Sequence, residues 1–278
     1  MSPLPTLFDL SSRVAVVTGG AGLLGTEFCR TLSAAGASVV VADLDIKGAR
    51  AVADSITRDF SAPTSKPRVV AIQTDVTDKS STKDMVDMTI HQFGRLDILV
   101  NSAVLDPKFD PAHGRHVYAF EDFPLEAWNQ AIEVNLTGAF LCSQAAVIPM
   151  LEQGNGVIIN LSSIYGITGP DQRLYQQDDR PQQYKPIFYS VTKTGLLGMT
   201  LYLATYYAGK NIRVNALSPG GVYNGHDESF VQAYSARTVL GRMAEKGDMN
   251  GALLFLASDA SSYMTGANLV VDGGWSVW

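Results

Sequence analysis

Seven short runs of apolar, largely β-branched residues recur along the chain, and that rhythm restricts the folds open to it. They fall at 13–17, 37–42, 68–74, 96–100, 156–161, 212–217 and 268–271. Near-continuous apolar strands mark a parallel sheet covered on both faces. Stretches of helical character lie between them, at 22–35, 46–59, 80–93, 125–151, 189–208 and 246–256. This alternation predicts a doubly wound α/β fold, a seven-stranded parallel sheet with helices on both faces. Length alone, at about 150 residues per domain, would allow two domains. No repeat or low-complexity linker divides the 278 residues, so one domain over 1–278 is expected.

Composition removes several function classes. A 46% hydrophobic share with 17% charge excludes a disordered chain. Net charge is −6 and no basic block occurs, which argues against a nucleic-acid groove. The two cysteines, Cys29 and Cys142, are far apart and fit no ligand spacing. They exclude a disulfide scaffold and fit a reducing, cytoplasmic compartment. Residues 1–12 lack the pattern of a secretory signal. The longest near-uniform apolar run, 195–208, is too short for a bilayer of about 30 Å. A small-molecule partner is therefore expected, with no nucleic acid and no membrane.

Two helical stretches, around 138–149 and 195–208, are apolar all round. Such helices need cover on both sides. The sheet covers one side, and a second subunit is the simplest cover for the other, so a homodimer or, preferably, a homotetramer is expected. Two polar loops, 104–120 and 168–188, follow strands and exceed what a compact domain needs. Ligands of open α/β sheets bind beyond the strands' carboxyl ends, where both loops lie.

The first strand runs directly into Thr18-Gly19-Gly20-Ala21-Gly22-Leu23-Leu24-Gly25. Glycines there let backbone approach a pyrophosphate, and the next helix aims free N–H groups at it. Asp43 ends the second strand, where an acidic side chain accepts hydrogen bonds from a ribose diol and repels a 2′-phosphate. The glycine turn holds no Lys or Arg, and the next basic residues after Asp43 are Lys47 and Arg50. NAD is expected over NADP, through Gly19, Gly22, Leu23, Leu24 and Asp43. Asp75 and Val76 end the third strand, where an adenine would lie; Asp75 could equally cap the helix before Ser80. Asn101, Ser102 and Ala103 end the fourth with small residues that leave room for a cofactor.

With those residues in place the chain resembles the short-chain dehydrogenases/reductases, which have a Rossmann fold. The resemblance is carried by the glycine turn, Asn101-Ser102-Ala103, Val134-Asn135-Leu136-Thr137-Gly138 and Asn160-Leu161-Ser162-Ser163. It continues through Tyr189-Ser190-Val191-Thr192-Lys193, Asn215-Ala216-Leu217-Ser218-Pro219-Gly220 and Val271-Asp272-Gly273-Gly274. It implies interconversion of a secondary alcohol and a ketone, with Tyr189 as acid/base. Tyr-x-x-x-Lys occurs twice, and only Tyr189…Lys193 opens a helix after the serine-bearing strand; Tyr206…Lys210 closes one.

The chemistry explains the residue types. Moving a hydride at an alcohol carbon requires a proton to move at its oxygen. Free Tyr, with a pKa near 10, is a poor base at neutral pH. Lys193, four residues on, shares its helical face, and its charge would favour tyrosinate. Lowering the phenol by about three units takes roughly 4 kcal/mol. By resemblance, Ser163 holds the substrate oxygen, Lys193 also binds the nicotinamide ribose, and Asn135 links Lys193 to a water chain. Ser163 is preferred to Ser162 because it precedes Ile164-Tyr165-Gly166. Pro219, Gly220, Val222 and Asn224 resemble the nicotinamide-binding turn, with Asn224 where Thr is usual.

Two departures bear on substrate. The compact branch more often has a glycine where Leu23 stands, and the form seen here is commoner in sugar-nucleotide epimerases and dehydratases. Only 85 residues follow Lys193, too few for the substrate domain of that longer branch. The gap from Ser163 to Tyr189 is about twice the usual length and is filled with amides, carboxylates and Arg. A steroid or acyl pocket wants an apolar lining, so a sugar or sugar derivative is expected, with Arg173 and Tyr165 as substrate contacts. The chain also resembles members linked to bacterial surface-sugar and flagellin-glycan synthesis. An epimerase or dehydratase that keeps its NAD, and an idle dinucleotide-binding protein, are the competing readings. His113-x-x-His116 lacks a third ligand, so no metal is expected. Trp275 and Trp278 are expected as packing anchors.

Overall fold

A computed structural model describes residues 4–60, 68–106, 119–176 and 183–278. The seven strands are β1 (Val14–Thr18), β2 (Ser38–Asp43), β3 (Val69–Gln73), β4 (Ile98–Asn101), β5 (Gly156–Leu161), β6 (Ile212–Pro219) and β7 (Asn268–Val271). They form one sheet in the order β3-β2-β1-β4-β5-β6-β7, parallel throughout. This is the doubly wound arrangement that the alternating pattern predicts. β1, β4 and β5 are buried at every residue, as strands covered on both faces must be. The chain reverses its direction of travel across the sheet between β1 and β4, which opens a crevice at their carboxyl ends.

Nine α-helices are present among the described residues: α1 (Leu4–Leu7), α2 (Leu23–Ala34), α3 (Ile46–Phe60), α4 (Lys79–Phe93), α5 (Leu125–Ile132), α6 (Gly138–Gln153), α7 (Ile187–Tyr206), α8 (Glu228–Ser235) and α9 (Asn250–Ala257). One apolar layer joins α2, α3 and α9 to one sheet face, through Phe28, Leu32, Ile56, Leu253 and Leu256. The other joins α4 and α6 to the opposite face, through Met85, Cys142, Ala146 and Met150. Asp97, almost wholly buried, ties the base of the sheet together. It accepts the Val14 N–H at 2.8 Å and pairs with Arg95 in two hydrogen bonds of 2.8 and 2.6 Å.

α5 and α6 are joined by a π-helical turn, Glu133–Thr137, so the helix is continuous over Leu125–Gln153. By length and composition alone this stretch is long and apolar enough to cross a membrane, which the apolar-run reading missed. Its inner face packs on the sheet as a core helix does. Its outer face exposes Phe140, Ile148 and Leu151, and α7 likewise exposes Val191, Leu201, Tyr202 and Tyr206. The sheet therefore covers one side of each of these helices and leaves apolar surface on the other.

Trp275 is the packing anchor expected of it, stacked on Tyr234 with ring centroids 4.2 Å apart. Trp278 is instead mostly exposed, holding only the Arg237 carbonyl through its indole N–H. Residues His113 and His116 lie outside the described residues, as do most of the 104–120 loop and 177–182 of the 168–188 loop.

Candidate active site

A cleft of about 940 Å³ runs along the carboxyl edge of the sheet. Its floor at one end is the turn between β1 and α2. Gly19 has φ of +64°, the left-handed region, and a Cβ there would lie 2.8 Å from the Ala103 Cα. A Cβ on Gly25 would drive into the Gly19 carbonyl and sit 2.9 Å from the Gly20 Cα. Only glycine lets the turn pass this close to β4 and α2. Thr18 fixes the same junction: its hydroxyl accepts the N–H groups of Ser102 and Ala103 at 3.1 and 3.2 Å.

α2 begins after Gly22, which has no side chain to cap the helix. The first-turn N–H groups therefore face the cleft without a capping partner, which is the donor set a pyrophosphate takes. Asp43 sits beside this turn, its two carboxylate oxygens accepting the N–H groups of Ala21 and Asp45, both at 3.0 Å. Gly19, Gly22, Leu23, Leu24, Asp43, Asp75, Val76, Ser102, Ala103, Pro219, Gly220, Val222 and Asn224 all line the cleft. The residues present thus fit a dinucleotide.

Asn101 does not line it. Its amide turns inward, donating to Ser143 at 2.9 Å and Asn160 at 2.8 Å, and Asn160 donates to Thr200. The expected Asn101 cofactor contact is therefore replaced by a buried polar network between β4, β5, α6 and α7. Asp75 does not cap α4 either; it closes a turn onto Thr77, and Asp78 caps the helix through the Ser80 N–H.

Ser163, Tyr189 and Lys193 meet further along the cleft. Ser163 caps the short helical turn Ile164–Gly166, accepting the Tyr165 N–H at 3.2 Å, and its side chain acts on the Tyr189 phenol, favouring the ionised form. Ser162 is otherwise engaged, donating to the Lys193 carbonyl at 2.8 Å. Tyr189 and Lys193 stand one turn apart near the start of α7. Tyr206 and Lys210 lie at its far, solvent-exposed end. Asn135 sits in the π-helical turn, where an inserted residue redirects side chains. It holds the Leu105 backbone at both N–H (2.6 Å) and carbonyl (3.1 Å), and reaches Thr192 at 3.5 Å.

Lys193 is 3% exposed, and its Nζ donates to the Leu161 carbonyl at 2.7 Å. Burial disfavours the charged form and pushes the ammonium down to about 8. Tyr189 moves the opposite way from the sequence expectation. Burial raises its phenol, the Asp106 carboxylate raises it further, and only Ser163 opposes them. The Lys193 ammonium is engaged with the Leu161 carbonyl, its Nζ 5.6 Å from the Tyr189 ring centroid, and the balance of the groups around the phenol shifts it upward.

Arg173 does not reach substrate space. Its side chain is 83% exposed and paired twice with Asp171, and it is absent from the cleft wall. Asp171 also pairs with Arg237. Tyr165 does line the cleft, its hydroxyl 3.2 Å from that of Tyr175 and its ring edge-on to Tyr189. Asp106, Tyr175, Lys185, His226, Phe230 and Tyr234 also line it, and the sequence reading assigned none of them a role. The aromatic spacing of 226–234 was a signal for the last three. Nothing in the pattern singled out Lys185.

Burial of Lys193 makes a linkage prediction. An unfolded Lys holds its proton to about 10.4, whereas folded Lys193 releases it near 8. The burial penalty is complete below pH 8 and is relieved as pH rises towards the unfolded value. Urea unfolding of the wild type and Lys193→Met at pH 7 and pH 10 should show the wild type gaining about 2–3 kcal/mol relative to the variant. Parallel behaviour at both pH values would show that no buried ammonium is present.

Known proteins share this architecture. A family model described as enoyl-(acyl carrier protein) reductase matches residues 20–276. The chain is 35% identical over 265 residues to trans-4-hydroxycyclohexanecarboxylate dehydrogenase of Sinomonas cyclohexanicum, covering 95% of this chain and 93% of that one. It is also 35% identical over 265 residues to a 3-alpha-(or 20-beta)-hydroxysteroid dehydrogenase of Mycobacterium bovis, covering 95% and 90%. A gluconate 5-dehydrogenase structure from Burkholderia cenocepacia, in complex with NADP and tartrate, superposes with a TM-score of 0.84 at 26% identity, covering 99% and 100%. A short-chain dehydrogenase from Leptospira borgpetersenii with bound NAD+ gives 0.81 at 32% identity, covering 99% and 96%. The chain belongs to the short-chain dehydrogenase/reductase family and is an NAD(P)-using oxidoreductase of hydroxyl groups.

Proposed function

We propose that the protein interconverts a secondary alcohol and a ketone on a sugar or sugar derivative, with NAD preferred. The observation that carries this reading is the convergence of the Ser163 hydroxyl, the Tyr189 phenol and the Lys193 ammonium in the cleft that holds the glycine turn. A bound nicotinamide exchanges the hydride and, when oxidised, brings a positive charge. The other tasks fall to the chain. Ser163 fixes the substrate oxygen against Tyr189. Tyr189 gives its proton to the carbonyl oxygen in reduction and takes one from the hydroxyl in oxidation. Lys193 orients a ribose and biases that proton, and Asn135 holds the Leu105 backbone beside it. Gly19, Gly22, Leu23 and Leu24 hold the pyrophosphate, and Asp43 the adenosine ribose.

Polar lining supports the substrate class. Asp106, Gln130, Gln183, Asn224 and His226 face the cleft, and the gluconate enzyme named above acts on a sugar acid. A second reading, a less polar hydroxylated ring, draws on the wall of Leu174, Tyr175, Phe230 and Met243 and on the hydroxysteroid relative.

An absorbance screen of NAD and NADP against polyols, sugar acids and hydroxysteroids tests the reading. Turnover of a sugar-class compound should fall about 10²–10⁴-fold in Tyr189→Phe. Asp43→Asn should weaken NAD binding about tenfold while changing NADP less. Preference for hydroxysteroids would overturn the substrate class, and full activity in Tyr189→Phe would overturn the mechanism. Cofactor that copurifies without net turnover would favour an epimerase.

We also propose that the exposed apolar faces of α6 and α7 pack against further copies, giving a dimer or tetramer. Light scattering should show an assembly that Leu201→Arg with Tyr202→Glu reduces to monomer. A monomeric wild type would contradict this.

A further inference from the structure

Among the described residues lining the cleft, the fixed cations are Lys185 and Lys193. Lys193 is engaged with Leu161 at the end of β5. Lys185 is held quite differently. Its backbone N–H donates to the Gln172 side-chain oxygen at 2.8 Å, and its carbonyl accepts the Gln172 amide at 3.1 Å. That two-point clasp fixes the segment just before α7. The side chain then lies back over the acid/base tyrosine, with Nζ 3.8 Å from the Tyr189 ring centroid. The same Nζ donates to Asp106 at 2.8 Å.

The two partners of this ion pair are unequally tied down. The Lys185 side chain is 11% exposed and the Asp106 side chain 37%. Lys185 is fixed by the Gln172 clasp and by the face of the ring. Asp106 follows β4 and is half open to water, so it is the partner that can turn away at low cost. An ammonium carries three N–H donors, and Asp106 takes one. The Asp106 contact shows that Nζ, on the cleft wall, takes a carboxylate oxygen at 2.8 Å. A phosphate dianion would want further donors and would meet about twice the repulsion from Asp106 that a carboxylate meets.

We propose that Lys185 is a specificity-determining residue that binds a carboxylate of the substrate, a few bonds from the reacting carbinol carbon, with Asp106 as the counter-ion it holds until substrate arrives. The substrate class is then a hydroxy acid, such as a sugar acid, rather than a neutral polyol. This rests on the reading that the substrate hydroxyl meets Tyr189. Near-burial is what makes the charge selective, since an ion pair there is far less screened than one in water. A neutral hydroxyl gains only an ordinary hydrogen bond from the same group.

The test compares the wild type, Lys185→Gln and Lys185→Arg, with gluconate as the acidic probe and threitol as the neutral one. The ratio of their kcat/KM values should fall about tenfold or more in Lys185→Gln and recover in Lys185→Arg. Calorimetric titration of tartrate into the NADH-loaded protein should show binding in the wild type that Lys185→Gln abolishes. An unchanged ratio, or equal losses for both probes, would overturn the proposal. If neither probe is turned over, the dehydrogenase reading fails for these compounds and the titration decides the lysine's role. Tartrate binding that depends on Lys185 would still support the carboxylate site, and its absence would overturn it.

Discussion

A lysine ammonium with almost no access to water stands at the end of β5, and the architecture around it follows from that burial. A charge in such a place must be hydrogen-bonded. Lys193 meets the requirement through the Leu161 carbonyl, the last residue of the strand. Its own carbonyl is held by Ser162, the next residue along. Gly166 lets the following turn press against α7, where a Cβ would lie 2.9 Å from the same Lys193 carbonyl. Strand end, turn and helix are thus fastened to one residue, and Ser163 and Tyr189 are brought together as a result. The parallel sheet contributes the site's location, because all seven carboxyl ends lie on one edge.

The same burial sets the direction of the proton chemistry. A simple reading makes Lys193 the group that turns Tyr189 into a base. The geometry shows a lysine whose ammonium is committed to the Leu161 carbonyl and is itself pushed towards neutrality, beside a tyrosine whose phenol desolvation and Asp106 push upward. In the proposed mechanism Tyr189 then acts most readily as a proton donor to a carbonyl, and the positive charge of an oxidised nicotinamide would favour its role as a base.

Much of this was legible in the sequence, and the limits have physical causes. Strand runs and the glycine turn are local patterns, and the sheet placed them within a residue or two of the expected bounds. Ser163 was preferred to Ser162 by resemblance, because the family's serine precedes an x-x-Gly turn; in the structure Ser163 lines the cleft and caps that turn, while Ser162 donates to the Lys193 carbonyl. Long-range partners were not legible. Asn101 ends the right strand, but Ser143 and Asn160 draw its amide into the core. Arg173 looked available for substrate because nothing local revealed how fully it would pair with Asp171. Lys185 went unnoticed because its significance lies in Asp106, 79 residues away, and in the face of Tyr189. The π-helical turn that orients Asn135 leaves no mark in a 3.6-residue pattern.

In the proposed mechanism the groups around Tyr189 push its phenol upward in the protein alone, and the positive charge of an oxidised nicotinamide would bring it down so that it can serve as a base. The direct test is an ultraviolet tyrosinate titration, taken as the difference between the wild type and Tyr189→Phe so that the other ten tyrosines cancel. Without cofactor, Tyr189 should ionise above the ordinary tyrosine value. With saturating NAD+ the same transition should move to clearly lower pH, and with NADH it should not. A Tyr189 transition already near neutral pH without cofactor, or one that NAD+ leaves unmoved, would contradict the account.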